Sequence, residues 1–428
     1  MHASRRITRR KFLAKTARSA AGVAAALSAP VIVPRSVFGV SGLAAANDRL
    51  ALGWIGCGGQ GNSDVGNLLK TGQVELVAVC DAYYEHAAKA AQKGRAGTEI
   101  YKDFRALLDR DDIDIVEIAT PDHWHALTAI AACQAGKDIY CQKPLSLTIE
   151  EGRAMVAAVR RYNRIFQVGS QQRSEFSFRR ACELVRSGRI GQLQYVETRI
   201  GGNRTCGYDG FDPIPEGLDW DMYLGPAPWV PYNRHRTFES FRWFWDYSGG
   251  SMTDWGAHHN DIAQWGLGTD HTGPVEIQGS GVFPTSGLME TPISYQATFK
   301  YKNGVEIHCS SEGNDCTFYG TDGWITCNRG GKLISDPPDI VQEPLGPNDV
   351  HLYESPGHHR NFIECVQSRK TPICDVEIGH RSITICHLGN ISIRLGRKIY
   401  WDPDKEQIVG DEEAARWVGK PMRKPWHL

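Results

Sequence analysis

An apolar run, Leu50, Ala51, Leu52, Trp54 and Ile55, leads directly into Gly56-Cys57-Gly58-Gly59-Gln60-Gly61, and a second apolar run, Val74 to Cys80, ends at Asp81. The order is strand, G-x-G-x-x-G, helix, strand, acid. Its first glycine permits the tight turn, its second admits a pyrophosphate to the backbone, and its third lets helix and strand pack closely. The phosphates of a dinucleotide are then expected at a helix N-terminus, where free N–H groups and the helix dipole favour anions. Gly56, Gly58, Gly59, Gln60 and Gly61 are the expected cradle. Asp81, 20 residues past Gly61, is placed to accept hydrogen bonds from a ribose diol. A carboxylate there repels a 2′-phosphate, so the expected cofactor is NAD rather than NADP.

From Arg49 to about Ser170 strands and helices alternate, which predicts an α/β fold with a doubly wound parallel Rossmann sheet. Ile113–Thr120 reads as a buried strand ending at Pro121-Asp122-His123-Trp124-His125, and 138–141 as another ending at Gln142-Lys143-Pro144. Thr148-x-x-Glu151 is a capping box. Ligands in such sheets bind outside the carboxyl ends of the strands. Thr120, Pro121, His123, His125 and Lys143 therefore join the glycine loop and Asp81 as expected cofactor neighbours, although backbone groups at the strand end explain either histidine as well.

Beyond Gln171 the pattern changes to longer strands and aromatic loops. Alternating runs at 275–282, 295–301 and 305–310 read as strands of one antiparallel sheet. Helices are expected over about 178–186, 253–267, 359–366 and 378–395, the last two closing the compact part. A chain of 428 residues exceeds one usual domain. The expected division is a leader over 1–46, a dinucleotide domain over 47–170, and a substrate-binding α/β domain over 171–428.

Asp254 and His258 stand four apart on the helix expected over 253–267, which puts them on one face. A His oriented by a carboxylate can take a hydroxyl proton, although an ordinary intrahelical hydrogen bond explains the pair equally well. Lys143, at a strand end facing the crevice, can stabilise negative charge on a substrate oxygen. Arg173, Arg242, Trp245 and His259 are candidate substrate contacts, aromatic faces with polar rims suiting sugar rings, although packing in a Trp-rich core explains the aromatic residues equally well. No metal site is expected, since His123, His125, His258, His259 and Asp261 show no recognised ligand spacing.

Eight of the 48 Lys and Arg, and none of the 49 Asp and Glu, fall in residues 1–46. The remaining 40 bases against 49 acids offer no bulk attraction for nucleic acid or an anionic membrane. Thr8-Arg9-Arg10-Lys11-Phe12-Leu13, followed by weakly apolar residues 17–33 and Ala44-Ala45-Ala46, reads as a twin-arginine signal. Export to the periplasm by that machinery is expected, with the cofactor loaded in the cytoplasm and no stable membrane span in the mature chain. The twelve cysteines have no short framework spacing and are expected to be buried free thiols.

Taken together, the Gly56, Gly58, Gly61 loop, Ala119-Thr120-Pro121, Lys143-Pro144 and Gly249-Gly250-x3-Asp254-x3-His258 resemble the Gfo/Idh/MocA family over about residues 49–401. The resemblance implies an N-terminal Rossmann domain and a C-terminal α/β domain whose large open, mostly antiparallel sheet forms a homo-oligomer interface. It implies Lys143, Asp254 and His258 as catalytic residues, and hydride transfer between NAD and a sugar or cyclitol hydroxyl. The usual Glu-Lys-Pro triplet is Gln142-Lys143-Pro144 here, which is expected to leave the lysine's charged form less stabilised. Two other functions remain open: redox-neutral glycoside cleavage or epimerisation with retained NAD, and sugar binding without catalysis.

Overall fold

Burial of the first apolar run sets the frame. Leu52, Trp54 and Ile55 of β1 (Leu50–Ile55) are almost wholly buried, and β1 pairs in parallel with β2 (Val74–Cys80) and β4 (Ile115–Ile118). The computed structural model describes residues 48–208 and 210–428; the basic leader read as a twin-arginine signal lies outside them. β3 (Glu99–Tyr101), β5 (Asp138–Cys141) and β6 (Phe166–Val168) complete a six-stranded parallel sheet in the order β3-β2-β1-β4-β5-β6. Its crossovers carry α1 (Gly59–Lys70), α2 (Tyr84–Ala91), α3 (Phe104–Leu108), α4 (His125–Gln134) and α5 (Ile149–Tyr162). The capping box is formed: Thr148 Oγ1 accepts from Glu151 N at 3.2 Å, and Glu151 Oε2 accepts from Leu147 N at 2.9 Å.

The second sheet has nine strands in the order β13-β12-β11-β7-β10-β9-β8-β14-β15. β7 (Leu193–Arg199) pairs in parallel with β10 (Glu306–Ser310), and every other pairing is antiparallel. β8 (Glu276–Val282) and β9 (Ser294–Lys300) fall where alternation predicted them. β11 (Asp315–Gly320), β12 (Trp324–Cys327) and β13 (Leu333–Asp336) extend one edge. β14 (Ile399–Asp402) and β15 (Gln407–Val409) extend the other, so the compact part continues past the helix expected to end it.

α6 (Phe176–Arg186) follows the parallel sheet, and α7 (Trp220–Leu224) lies in the long irregular stretch. The helix expected over 253–267 is two segments, α8 (Ser251–Asp254) and α9 (Gly256–Leu267). The break is a tightened turn, in which His258 N donates to Trp255 O only three residues back. Gly256 opens α9 in close packing, since a Cβ there would lie 2.9 Å from Cys386 Sγ. α10 (His358–Ser368) and α11 (Val376–Leu395) follow, and α11 packs on α5, β8 and β9, joining the two halves. Residues 48–428 form one compact unit. All twelve cysteines are free, eleven of them buried, and no helix of the described residues is long and apolar enough to cross a membrane.

Candidate active site

The glycine loop is shaped by two glycines that admit no side chain. Gly56 has φ +86, and a Cβ on it would lie 2.5 Å from Thr120 N; one on Gly61 would meet Gly56 O at 2.6 Å. Trp54 Nε1, buried under the loop, donates to Gly56 O at 2.9 Å. Gly61 is thus the contact of α1 with the sheet. A Cβ on Gly58 or Gly59 would meet nothing within 4 Å, so these positions open onto the cavity at the N-terminus of α1. No side chain caps that terminus. Asp81 pins the loop, accepting from Cys57 N at 2.7 Å and from Tyr83 N at 2.8 Å. An open backbone cradle, a helix N-terminus and a carboxylate at the end of β2 fit a dinucleotide's pyrophosphate and ribose.

One cavity of about 1520 Å³ is lined by Gly56, Gly58, Gly59, Gln60 and Asp81, by Thr120 and Pro121, and by Lys143, Arg242, Asp254 and His258. The Lys143 ammonium pairs with Asp254 Oδ1 and donates to Asp254 O at 3.2 Å. Arg242 Nε donates to the same Oδ1 at 3.1 Å. Burial pushes the Asp254 carboxyl up, but Lys143 and Arg242 together hold it at about 2. The carboxylate therefore serves two cations, and no hydrogen bond joins it to His258.

His258 Nε2 instead accepts from Arg329 Nη2 at 2.8 Å, which assigns the ring proton to Nδ1. That nitrogen is buried and has no partner among the described residues. Burial, then Lys143 and Arg329, hold the imidazole well below its ordinary pKa, so it is neutral at physiological pH. With its amide turned to suit its neighbours, Gln172 donates to His258 O at 3.0 Å and accepts from Arg329 Nε at 3.2 Å.

Several sequence candidates stand elsewhere. His123 and His125 do not reach the cavity wall: His123 Nε2 meets Tyr223 O at 3.0 Å while its buried Nδ1 has no partner among the described residues, and His125 bridges Pro144 O at 2.7 Å and Thr120 O at 2.9 Å. Arg173 is buried in ion pairs with Asp261 and Asp270, both at 2.7 Å. Trp245 lies against the Arg394 guanidinium at 4.3 Å. His259 stands behind the wall, its Nε2 2.5 Å from Asn314 Oδ1 and its ring stacked on Trp255. No group of His, Cys, Asp or Glu able to hold a metal ion occurs among the described residues.

The Gln142 departure also acts differently from expectation. Its amide donates to Asp64 Oδ2 at 2.6 Å, while His359 Nε2 meets Asp64 Oδ1 at 2.9 Å. A neutral donor at 142 thus satisfies a buried carboxylate of α1, and the lysine has its counter-charge in Asp254.

Sequence reasoning passed over Arg329 and Asp122. Arg329 sits in the turn after β12, and its only local signal is the Gly330-Gly331 pair beside it. Asp122 stood in view just ahead of two histidines that drew attention instead. It is buried on the cavity wall, accepts from Ser248 Oγ at 2.5 Å, and is raised by burial to about 7.

A parallel sheet with a glycine-loop crevice, facing a cationic and histidine-bearing wall from the part of the chain that carries the second sheet, defines a dinucleotide-binding α/β protein. The chain belongs to the Gfo/Idh/MocA oxidoreductase family. Residues 50–170 match its NAD-binding Rossmann fold, and residues 207–428 match its C-terminal alpha/beta domain. A levoglucosan dehydrogenase of Pseudarthrobacter phenanthrenivorans is 41% identical over 116 residues, 27% of this chain and 29% of that one. A glycosyl hydrolase family 109 protein of Shewanella sp. (strain W3-18-1) is 33% identical over 210 residues, 45% of each chain. The chain thus spans less than half the length of these relatives. The crystal structure of aldose-aldose oxidoreductase from Caulobacter crescentus, complexed with glycerol, superposes with a TM-score of 0.63 over 82% of this chain and 99% of that one. Its 19% identity makes that a likeness of fold.

Proposed function

We propose that the protein is an NAD-dependent oxidoreductase acting on a ring hydroxyl of a carbohydrate or cyclitol. The observation that carries this reading is the Lys143–Asp254 ion pair facing the same cavity as the glycine loop and Asp81. Asp81 favours NAD over NADP, since its carboxylate opposes a 2′-phosphate. When bound, the nicotinamide supplies a hydride acceptor. Lys143, kept in place by Asp254, donates to the substrate oxygen and stabilises charge developing on it. His258 Nε2 exchanges its Arg329 contact for the substrate hydroxyl and takes the proton. Arg242, bound to the same carboxylate, holds the Lys143 side of the pocket. The levoglucosan dehydrogenase match supports a carbohydrate substrate.

A second reading is redox-neutral: transient oxidation at one ring carbon acidifies its neighbour, a substituent is eliminated, and the hydride returns. The match to a glycosyl hydrolase family 109 protein over 45% of each chain favours it. The twin-arginine pattern in residues 8–13 supports export to the periplasm, where a carried cofactor suits such chemistry. The open nine-stranded sheet supports homo-oligomer formation through its outer face.

The test is to purify the folded protein, release and identify its dinucleotide, and screen sugars, cyclitols and glycosides. Net NADH formation that disappears in Lys143→Met supports the dehydrogenase. Glycoside cleavage without net NADH replaces it with the second reading, and sugar binding without any cofactor reduction removes both.

A further inference from the structure

Beyond Asp81 the crevice is closed from the other half of the chain. Asp219 N donates to Ala82 O at 2.8 Å and Tyr84 N to Gly217 O at 2.9 Å, with an antiparallel bridge between Tyr83 and Leu218. These bonds stitch the irregular stretch to the turn that follows β2. Further along the same stretch, Phe238 comes back to that turn. Its ring centroid lies 5.8 Å from that of Tyr83 and 5.3 Å from that of His86, and those two rings are 5.0 Å apart. His86 Nδ1 is 3.7 Å from Asp81 Oδ2. All three rings line the cavity together with Asp81.

Phe238 is held against its own preferences. Its φ of +53 lies in the left-handed region that a side chain with a Cβ disfavours. Its ring is 45% exposed, an open apolar surface beside a site for a polar ligand. The flanking chain is tied down to keep it there: Asn233 Nδ2 donates to Gly210 O at 2.6 Å, its Oδ1 accepts from His235 N at 2.8 Å, and Thr237 Oγ1 donates to Arg234 O at 3.0 Å. Non-glycine residues held at positive φ gather at ligand clamps. Three rings around a ribose-binding carboxylate suit a purine, whose π-face stacks on aromatic side chains.

We propose that Tyr83, His86 and Phe238 form an aromatic clasp on the adenine of the dinucleotide, and that Phe238 sets how long the dinucleotide stays bound. The proposal rests on the NAD reading above. Because Phe238 belongs to the half of the chain opposite the glycine loop, release requires that half to let go.

The test follows the release of bound NADH from the full chain by chase with excess etheno-NAD, alongside binding of reduced nicotinamide mononucleotide, which lacks the adenine. Phe238→Ala is expected to release NADH roughly ten- to a hundredfold faster, the range one base–ring stack accounts for, with mononucleotide affinity unchanged. Phe238→Tyr is expected to restore slow release, and Phe238→Leu to fall between. Unchanged release in Phe238→Ala, or equal weakening of NADH and mononucleotide, overturns the clasp and leaves the oxidoreductase reading intact. Failure of the native protein to bind either nucleotide overturns both. Loss of turnover in Lys143→Met with slow NADH release preserved supports both.

Discussion

Lys143 and Asp254, 111 residues apart in sequence, close an ion pair across the crevice between the end of β5 and the end of α8. The pair joins the cofactor wall to the substrate wall. Lys143→Met is expected to lower kcat/KM by roughly 10²–10³-fold, the cost of removing one preorganised donor, while dinucleotide affinity changes little. Steady-state kinetics beside NADH titration check this, and retained turnover would remove Lys143 from the chemistry.

The same pair has an acid signature. Asp254 is held at about 2 in the folded chain, below its value near 4 in an unfolded one. Its stabilisation is fully present above about pH 4 and is lost as pH falls toward 2. In Asp254→Asn this part of the acid-unfolding curve is expected to vanish, and identical curves for the two proteins would contradict the ion pair.

His258 is expected to give no titration step near its ordinary pKa of about 6.5, because burial, Lys143 and Arg329 keep the ring neutral to well below that. A kcat/KM profile should therefore stay level from pH 8 down past 6.5 on account of this group. His258→Gln should reduce the rate roughly 10²–10⁴-fold across that range. A native acid limb at 6.5 that the substitution abolishes would show a differently charged histidine.

Gln142→Glu restores the family triplet and sets a second carboxyl 2.6 Å from Asp64. One of the two must keep a proton, so the folded state binds that proton more tightly than the unfolded state. Stability of the variant should fall as pH rises above about 4.3, by up to about 1.4 kcal/mol per pH unit. Urea midpoints at pH 5 and pH 8 measure this, and parallel behaviour of variant and native chain would refute it.

Glu117, fully buried in β4 with neither oxygen partnered among the described residues, presents the native version of that situation. Burial, with Asp64 nearby, pushes its carboxyl well above the usual range. Glu117→Gln should become progressively more stable than the native chain as pH rises from 5 to 8. A constant difference across that range would mean that Glu117 ionises in the fold.

The glycine loop and Asp81 were legible because their geometry is local: turn, helix start and acid follow at fixed spacing within one βαβ unit. Lys143 was legible for the same reason, as a residue at the end of a buried strand. Arg329 was not, since it arrives from a turn after β12 and meets His258 only through the fold of the second sheet. For His123 and His125 the sequence left two readings open, because a histidine carries the same signal whether it faces a ligand or a backbone carbonyl; the fold turns both to carbonyls, of Tyr223 for one and of Pro144 and Thr120 for the other. The unbroken helix expected over 253–267 is interrupted at Trp255, where the chain tightens into a turn closed by His258 N on Trp255 O. At the sheet edges β11 and β12 are buried in consecutive runs, Cys316 to Phe318 and Ile325 to Cys327, and β13, β14 and β15 have only 4, 4 and 3 residues, so none offered a period-2 alternation long enough to read.

Eleven of the twelve free thiols are buried and only Cys206 is partly accessible. It stands in the same irregular stretch that carries Phe238. A maleimide fluorophore should therefore attach at one position of the unaltered chain, in the stretch that carries the proposed clasp. The native cysteine content thus doubles as a built-in optical reporter, able to follow that segment in real time without an engineered label site.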